Sequence, residues 1–404
     1  MSEKSVFTRL AGGSLVRDAL IDAAQAARRI AAGELTDSSA MTHAWLFTGP
    51  PGSGRSNAAR AFAAALMCTG PEVGCGQCQN CRDVMADQHP DLIHVVPKEL
   101  SISVDLMRER VVATYLDYPT VADWRVIIIE DADRLSEGAA NALLKTVEEP
   151  SPRTVIMLCA PSLDPHDISV TLRSRCRHIY VPTPSIEDAT RILLADGTLS
   201  EPAARLAAAA TGGHIGRARH LATSETARSR RAQVLHLAEL VYHREAAFQE
   251  VGALVAAVEK ETLAELEPVE EAEADKIRNS FGAGVRGKGA ARLTKGMDQE
   301  LKTLEAVHKK RRTRAQRDAF DLALVDLAGL YRDALLQAAG ASLELTHPDF
   351  SGLSGDLAAK NSVAALTACL DAIAECRASL GYNVRPVVAM SGLVGRLRKA
   401  CKVS

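Results

Sequence analysis

The chain has 404 residues, 47% of them hydrophobic and only 4% aromatic, and carries a formal net charge of −2. That length exceeds one ordinary domain and predicts two or three, while the alanine- and leucine-rich, aromatic-poor balance disfavours sandwiches and barrels and predicts a mostly helical protein with one α/β region. A charge so near zero excludes whole-chain attraction to nucleic acid, so any such contact needs a local patch.

The opening Met1-Ser2-Glu3-Lys4 lacks the apolar stretch of a secretion signal, and no run approaches the ~18 apolar residues of a membrane span; the expectation is a soluble, cytoplasmic protein. Residues 42–48 (T-H-A-W-L-F-T) read as a strand entering a glycine-rich loop, and 56–67 as the helix that follows. The loop, Gly49-Pro50-Pro51-Gly52-Ser53-Gly54-Arg55-Ser56, fits the phosphate-binding pattern G-x-x-x-x-G-K-[ST] except that Arg55 stands where lysine belongs. In an intact loop the backbone N–H groups wrap the phosphates, the lysine reaches the β and γ oxygens and the hydroxyl holds Mg²⁺. A planar, forked guanidinium keeps the charge but not that shape, so hydrolysis in this site is expected to be impaired or lost.

Nine cysteines occur, four of them crowded as Cys68, Cys75, Cys78 and Cys81 in the spacing C-x6-C-x2-C-x2-C. Four thiolates complete a tetrahedral Zn²⁺ shell with no open position, which makes a structural site. Iron–sulfur ligation and simple free thiols are the other readings of such a cluster. The ferredoxin pattern, however, needs a fourth cysteine followed by proline after the triplet, which 82–90 does not supply. Cys159, Cys176, Cys369, Cys376 and Cys401 read as buried or incidental thiols, and His43, His89 and His94 as packing or surface residues.

Further along, 91–96 (D-L-I-H-V-V) is a second strand and 104–115 an amphipathic helix. Residues 125–129 form a third strand whose V-I-I-I is apolar throughout, as in a parallel strand covered on both faces. Ser136 caps a helix through Ala140, Leu143, Leu144 and Val147 that Pro150 stops. Residues 154–160 and 178–181 complete a five-strand set, and strands alternating with helices predict a parallel three-layer sheet. After Pro182 and Pro184, residues 186–222 are alanine-rich and suit a small helical lid. Beyond 223 the pattern is helical without strand signal. The segment 259–318 is charged: eight acidic residues in 259–275, glycines at 282, 284, 287 and 289, then six basic residues in 309–317. It reads as a solvated helical hairpin or flexible insert, with a DNA or partner contact through the basic run as the alternative.

Taken together, the loop at 49–56, the cysteine cluster, L-L-K-T-V-E-E-P at 143–150 and L-R-S-R-C at 172–176 resemble the AAA+ subunits of the bacterial replicative clamp loader, and within them the delta prime branch of DNA polymerase III. The resemblance covers about 1–222 and extends loosely beyond. It implies an AAA+ nucleotide-binding-type domain (1–181) bearing a zinc module at 68–81, a helical lid (182–222) and an all-helical collar (223–404). It further implies gamma/tau and delta subunits as ring neighbours, the sliding clamp as the ring that is opened, and primer–template DNA reached through the assembled complex. Glu130 and Asp131 fall on the Walker B position in the order opposite to that of the family's active members. Ser162 falls near sensor 1, and Gly216, with Arg217 adjacent, near sensor 2. The degenerate nucleotide site would then comprise Gly49, Gly52, Gly54, Arg55, Ser56, Glu130, Asp131 and Ser162, with ATP and Mg²⁺ in it left open. Arg175, in an intact Ser-Arg-Cys setting, would reach across an interface to ATP held by a neighbour; a surface ion pair is the plain alternative, with Arg173 and Arg177 as competitors. The expected role is a stator of a DNA polymerase III assembly, with weak or absent ATPase of its own. A gamma/tau-like motor subunit is the runner-up. A P-loop small-molecule kinase would leave the cysteines, the Ser-Arg-Cys motif and the long helical region without a role.

Overall fold

The computed structural model describes residues 5–403 apart from 9, 11, 12, 35–38, 98, 115, 116, 150, 196, 282–289 and 383. The chain start, the end of the 104–115 helix, Pro150 and the four glycines of the charged segment therefore lie outside the described residues. The chain divides into two compact units, one ending at Arg219 and the other running from His220.

The first unit holds α1 (Gly13–Ala31), β1 (Ala44–Thr48), α2 (Arg55–Leu66), α3 (Gln79–Met85), β2 (Leu92–Val95), α4 (Val104–Met107), β3 (Arg125–Ile129), α5 (Glu137–Glu148), β4 (Thr154–Ala160), α6 (Val170–Arg173), β5 (Arg177–Tyr180), α7 (Ile186–Leu194), α8 (Glu201–Ala210) and α9 (Ile215–Thr223). The five strands pair in parallel in the order β2-β3-β4-β1-β5. Alternation along the strands divides the core into two layers. Trp45, Phe47, Val126, Ile128, Val155 and Met157 pack with Ala58, Phe62 and other residues of α1 and α2, while Leu46, Ile127, Ile129, Ile156 and Leu158 pack with Leu143, Val147 and Leu172. This is the three-layer arrangement expected of strands apolar at every position. Trp45 anchors the first layer, its ring edge-on to Phe62 at 4.8 Å and its Nε1 donating to the Thr42 carbonyl at 2.8 Å. The parallel register places Thr48 beside Ala160 and Tyr180, and Ile129 beside Leu158. The C-terminal ends of β1, β3 and β4 thus share one edge, where open α/β sheets place their ligands.

Two elements differ from the sequence expectation. The amphipathic helix at 104–115 is a single α-turn that widens into a π-turn at Arg108–Val112. Residues 13–31, unassigned from sequence, form α1, whose Val16, Leu20, Ala23 and Ala27 face the core.

The second unit is helical: α10 (Glu225–Leu240), α11 (Arg244–Ser280), α12 (Ala290–Ala338), α13 (Ser351–Lys360), α14 (Val363–Gly381) and α15 (Pro386–Ala400). Its core joins Leu235, Val251, Leu254, Leu327, Tyr331, Cys369 and Leu393. The charged segment is the antiparallel pairing of α11 with α12. Glu270 accepts from Arg312 Nε at 2.8 Å, and Glu273 accepts from Arg311 at 3.1 Å and contacts His308 at 2.9 Å. Arg311 and Arg312, and Arg314 through Asp318 at 3.4 Å, are therefore neutralised within the hairpin. Elsewhere in this unit Arg231 is clasped by both Asp349 oxygens at 2.7 Å, contacts His347 Nδ1 at 2.9 Å and lies over the Phe350 ring. Burial works against the Asp349 carboxylate, but Arg231 holds its pKa below the usual range. Replacing Arg231 by Ala strands Asp349 and the buried His347, and should cost about 3 kcal/mol in urea unfolding of this unit. The Arg231–Asp349 contribution is fully present above the ordinary carboxylate range near pH 4 and fades as the pH falls. Among the described residues, no helix is long and apolar enough to cross a membrane.

Candidate functional site

The glycine-rich loop leaves β1 and enters α2 through two left-handed glycines, Gly52 at φ +88° and Gly54 at φ +87°, a conformation costly for any residue with a Cβ. A Cβ on Gly49 would lie 2.2 Å from the Val181 carbonyl oxygen, and one on Gly52 2.4 Å from the ring of His214. The loop has the backbone of a phosphate cradle, but this chain's own side chains occupy its functional groups. Arg55 folds back, Nη1 donating to the Gly49 carbonyl at 2.7 Å and Nη2 reaching Asp131 at 3.4 Å. Asp131 adopts a left-handed φ of +46° and also faces Arg134 at 3.7 Å. The Ser53 hydroxyl, fully buried in the loop, has no hydrogen-bond partner among the described residues.

The neighbouring carboxylate is engaged as well. Glu130 contacts His94 Nε2 at 2.9 Å, lies 4.0 Å from Arg60 and accepts a hydrogen bond from Ser56, while His94 Nδ1 meets Asp87 at 2.8 Å. Burial pushes the Glu130 carboxyl upward, but His94, Ser56 and Arg60 hold it below the usual carboxylate range. Burial likewise opposes the His94 cation, yet Glu130 and Asp87 raise the imidazole above its ordinary pKa. An ion pair therefore stands where a nucleotide-bound Mg²⁺ would need Ser56 and an acid. His214, just ahead of α9, lies against Gly52; burial, then the charges of Arg217 and Arg55, push it down to about 4, so this ring is neutral. Ser162, at the end of β4, donates to Asp167 at 2.6 Å and accepts from the Asp164 amide at 2.9 Å, which commits it to its own turn. Restoring lysine alone leaves Glu130 paired with His94 and His214 on the loop. The isolated Arg55→Lys chain should accordingly show no more than trace ATP hydrolysis, and robust turnover would mean these contacts do not block the site.

Cys68 follows α2, Cys78 caps α3 and Cys81 lies inside it; with Cys75, their sulfurs all fall within 4.8 Å of one another. A tetrahedron with Zn–S bonds near 2.3 Å has S–S edges of about 3.8 Å, and Cys78 Sγ lies 3.9 Å from Cys68 Sγ. Backbone amides converge on the sulfurs: Gly70 and Cys75 on Cys68, Gln77 and Cys78 on Cys75, and Cys81 on Cys78, at 3.3–3.5 Å. Such donors favour thiolates, so the donor set fits a metal cation. The surrounding loop is fastened from outside. Arg28 donates to the carbonyls of Cys68 at 2.9 Å and Pro71 at 3.1 Å, and the Val6 amide bonds Gly74 O at 3.0 Å. A Cβ on Gly70 would lie 2.7 Å from Cys75 Sγ, so a side chain there would displace that sulfur.

The three arginines near β5 have different fates. Arg173 donates to the Leu163 carbonyl at 2.7 Å; Arg177 donates to Ala40 O at 2.6 Å and covers the Trp45 ring at 5.0 Å. Both are structural. Arg175 lies in the turn between α6 and β5, about a third exposed, with Glu148 as its ion-pair partner at 2.5 Å.

A family profile described as "DNA polymerase III, delta subunit" matches residues 29–185. Over 146 residues the chain is 36% identical to the DNA polymerase III delta prime subunit of Pseudomonas aeruginosa, covering 35% of this chain and 44% of that protein. It is 32% identical over 211 residues to the delta prime subunit of Bacillus subtilis, covering 50% and 61%. Over this part of its length the chain is similar to clamp-loader subunits of DNA polymerase III. The tau subunit of Bacillus subtilis is also similar, 34% identical over 140 residues, covering 34% of this chain and 24% of that protein. The chain thus spans about half the length of the delta prime relatives it matches.

Within this domain the sheet edge brings Gly49–Ser56, Glu130 and Asp131 together, and it sets Ser162 and the cysteine cluster apart from them in hydrogen bonding. Sequence reasoning missed two residues of the site. His94, read as packing, touches Glu130 because β2 lies beside β3, where the Glu130 amide bonds Val95 O at 3.0 Å; the strand order is the signal that would have found it. His214 carried no signal beyond its place next to Gly213.

Proposed function

We propose that this chain is a clamp-loader subunit of the delta prime kind: it helps load the sliding clamp onto primed DNA without turning over ATP itself, and supplies Arg175 in trans to ATP bound by a neighbouring subunit. The observation that carries this reading is a contrast within one domain. Arg55, Glu130 and Asp131 are spent on each other and on His94, whereas Arg175, alone of the three arginines around β5, keeps its guanidinium on the surface. A guanidinium delivered to the transferring phosphoryl group neutralises charge that builds there.

On the same reading the Cys68–Cys75–Cys78–Cys81 site holds structural Zn²⁺, residues 182–222 are the lid and 223–404 the collar, and the protein works in the cytoplasm beside gamma/tau and delta subunits. Contact with primer–template DNA then belongs to the assembled ring, consistent with a basic run partly neutralised inside the hairpin. The similarity to tau subunits supports the second reading, a motor subunit that fires its own site, and the retained Gly49, Gly54 and Ser56 are its best evidence. The deciding experiment is ATP hydrolysis by the reconstituted loader carrying Arg175→Ala in this chain alone.

A further inference from the structure

Two motifs nearly thirty residues apart in the chain meet at one point. Leu143 and Val147 of α5 share a core layer with Leu172 of α6, and Cys176 packs against it. At the rim of that layer Glu148, the last residue of α5, faces Arg175. Arg175 Nη2 lies 2.5 Å from a Glu148 oxygen, while Nη1 donates to the Thr171 carbonyl at 2.8 Å and to Ser174 Oγ at 3.3 Å.

An ion pair with side chains 36% and 44% exposed adds little to stability. Its effect is on orientation. A long arginine on a surface turn samples many rotamers, and each one lost at the moment of reaction slows the step. Here a carboxylate on one side and two oxygens of the turn on the other fix the guanidinium plane, with only part of its five-donor fork engaged. The carboxylate is itself held by α5, whose apolar face is locked into the core beneath.

We propose that Glu148 is a positioning residue for Arg175, pre-orienting its guanidinium toward the phosphoryl group held by the neighbouring subunit. The inference rests on the reading of Arg175 as a finger supplied in trans. Donors fixed before the reaction need no reorganisation during it, so the contribution falls on the chemical step rather than on nucleotide affinity.

The test is DNA- and clamp-stimulated ATP hydrolysis by the reconstituted loader, resolved into kcat and KM, with this chain as wild type, Glu148→Ala, Glu148→Gln, Arg175→Ala and the Glu148→Ala/Arg175→Ala double variant. Glu148→Ala should lower kcat about tenfold at an unchanged KM, less than the roughly hundredfold cost of a full 1 Å misplacement. Glu148→Gln, which keeps an acceptor oxygen, should recover much of the rate, and the double variant should be no slower than Arg175→Ala. Matching thermal melts of the isolated chains exclude misfolding. A wild-type rate for Glu148→Ala beside a depressed Arg175→Ala overturns the inference and leaves the finger standing. A raised rate makes Glu148 a brake and overturns it as well. A wild-type rate for Arg175→Ala removes the finger itself, and the inference with it.

Discussion

Arg175→Ala in this chain alone should abolish most of the hydrolysis at one neighbouring nucleotide site of the reconstituted loader, a loss of about 10³-fold or more at that site if the arginine behaves as fingers do in other NTPases. The assembly should survive intact, because the side chain contributes only an exposed ion pair and two contacts within its own turn. Single-turnover hydrolysis separates the affected site from the others in the ring, and size-exclusion chromatography reports the assembly. The companion variants Arg173→Ala and Arg177→Ala should behave differently, since each removes a bond to the scaffold and so acts through folding rather than through rate. Unchanged single-turnover kinetics for Arg175→Ala would return attention to the altered loop at 49–56 as the working site.

The second large effect concerns the cysteine cluster. Metal binding and folding are one equilibrium in small thiolate sites, worth about 10–16 kcal/mol of apparent binding free energy in zinc-finger peptides. Chelation, or Cys78→Ser, should therefore unfold the module at 68–81, read as a loss of hydrogen-exchange protection there and in α3. The sheet should hold, because its core is built from β1, β3 and β4 with α2 and α5, and Cys68 and Cys81 join only the layer on the α1–α2 side. Disorder should spread to residues 5–7, whose Ser5 Oγ and Val6 amide both bond Gly74 O. Wild-type protein should yield about one zinc per chain on acid release; a fully protected module without metal would remove the site from the account.

How far the sequence reached depends on whether a feature is local. The strand at 125–129 was readable because a parallel strand buried on both faces needs apolar residues without alternation, and V-I-I-I has them. The cysteine cluster was readable because its four members lie within fourteen residues of one another. The cap at Ser136 acts over three residues, its hydroxyl oxygen accepting from the Ala139 amide at 3.2 Å. Lateral relations were not legible. That His94 meets Glu130 follows from β2 lying beside β3, and that His214 covers Gly52 follows from where α9 returns; neither is written in spacing. The different hydrogen-bond partners of Arg173, Arg175 and Arg177 likewise depend on which carbonyls the fold brings around each one. The π-turn at Arg108–Val112 interrupts a pattern that looked helical, because hydrophobic spacing does not distinguish 3.6 residues per turn from a single wider turn.

The seat of His214 on Gly52 has a thermodynamic consequence. In an active P-loop ATPase the bound nucleotide is the bridge between the loop and the helices beyond the sheet, so the bridge is made and lost with each cycle and its occupancy follows the ATP supply. Here an imidazole tethered to the same chain occupies that place, and its effective concentration is set by the polypeptide rather than by the cell. The contact neither needs ATP to form nor is released when phosphate leaves. The relation between loop and α9 is thus insulated from the energy charge of the cell, which, on the proposed reading, suits a subunit of constant shape against which cycling neighbours move.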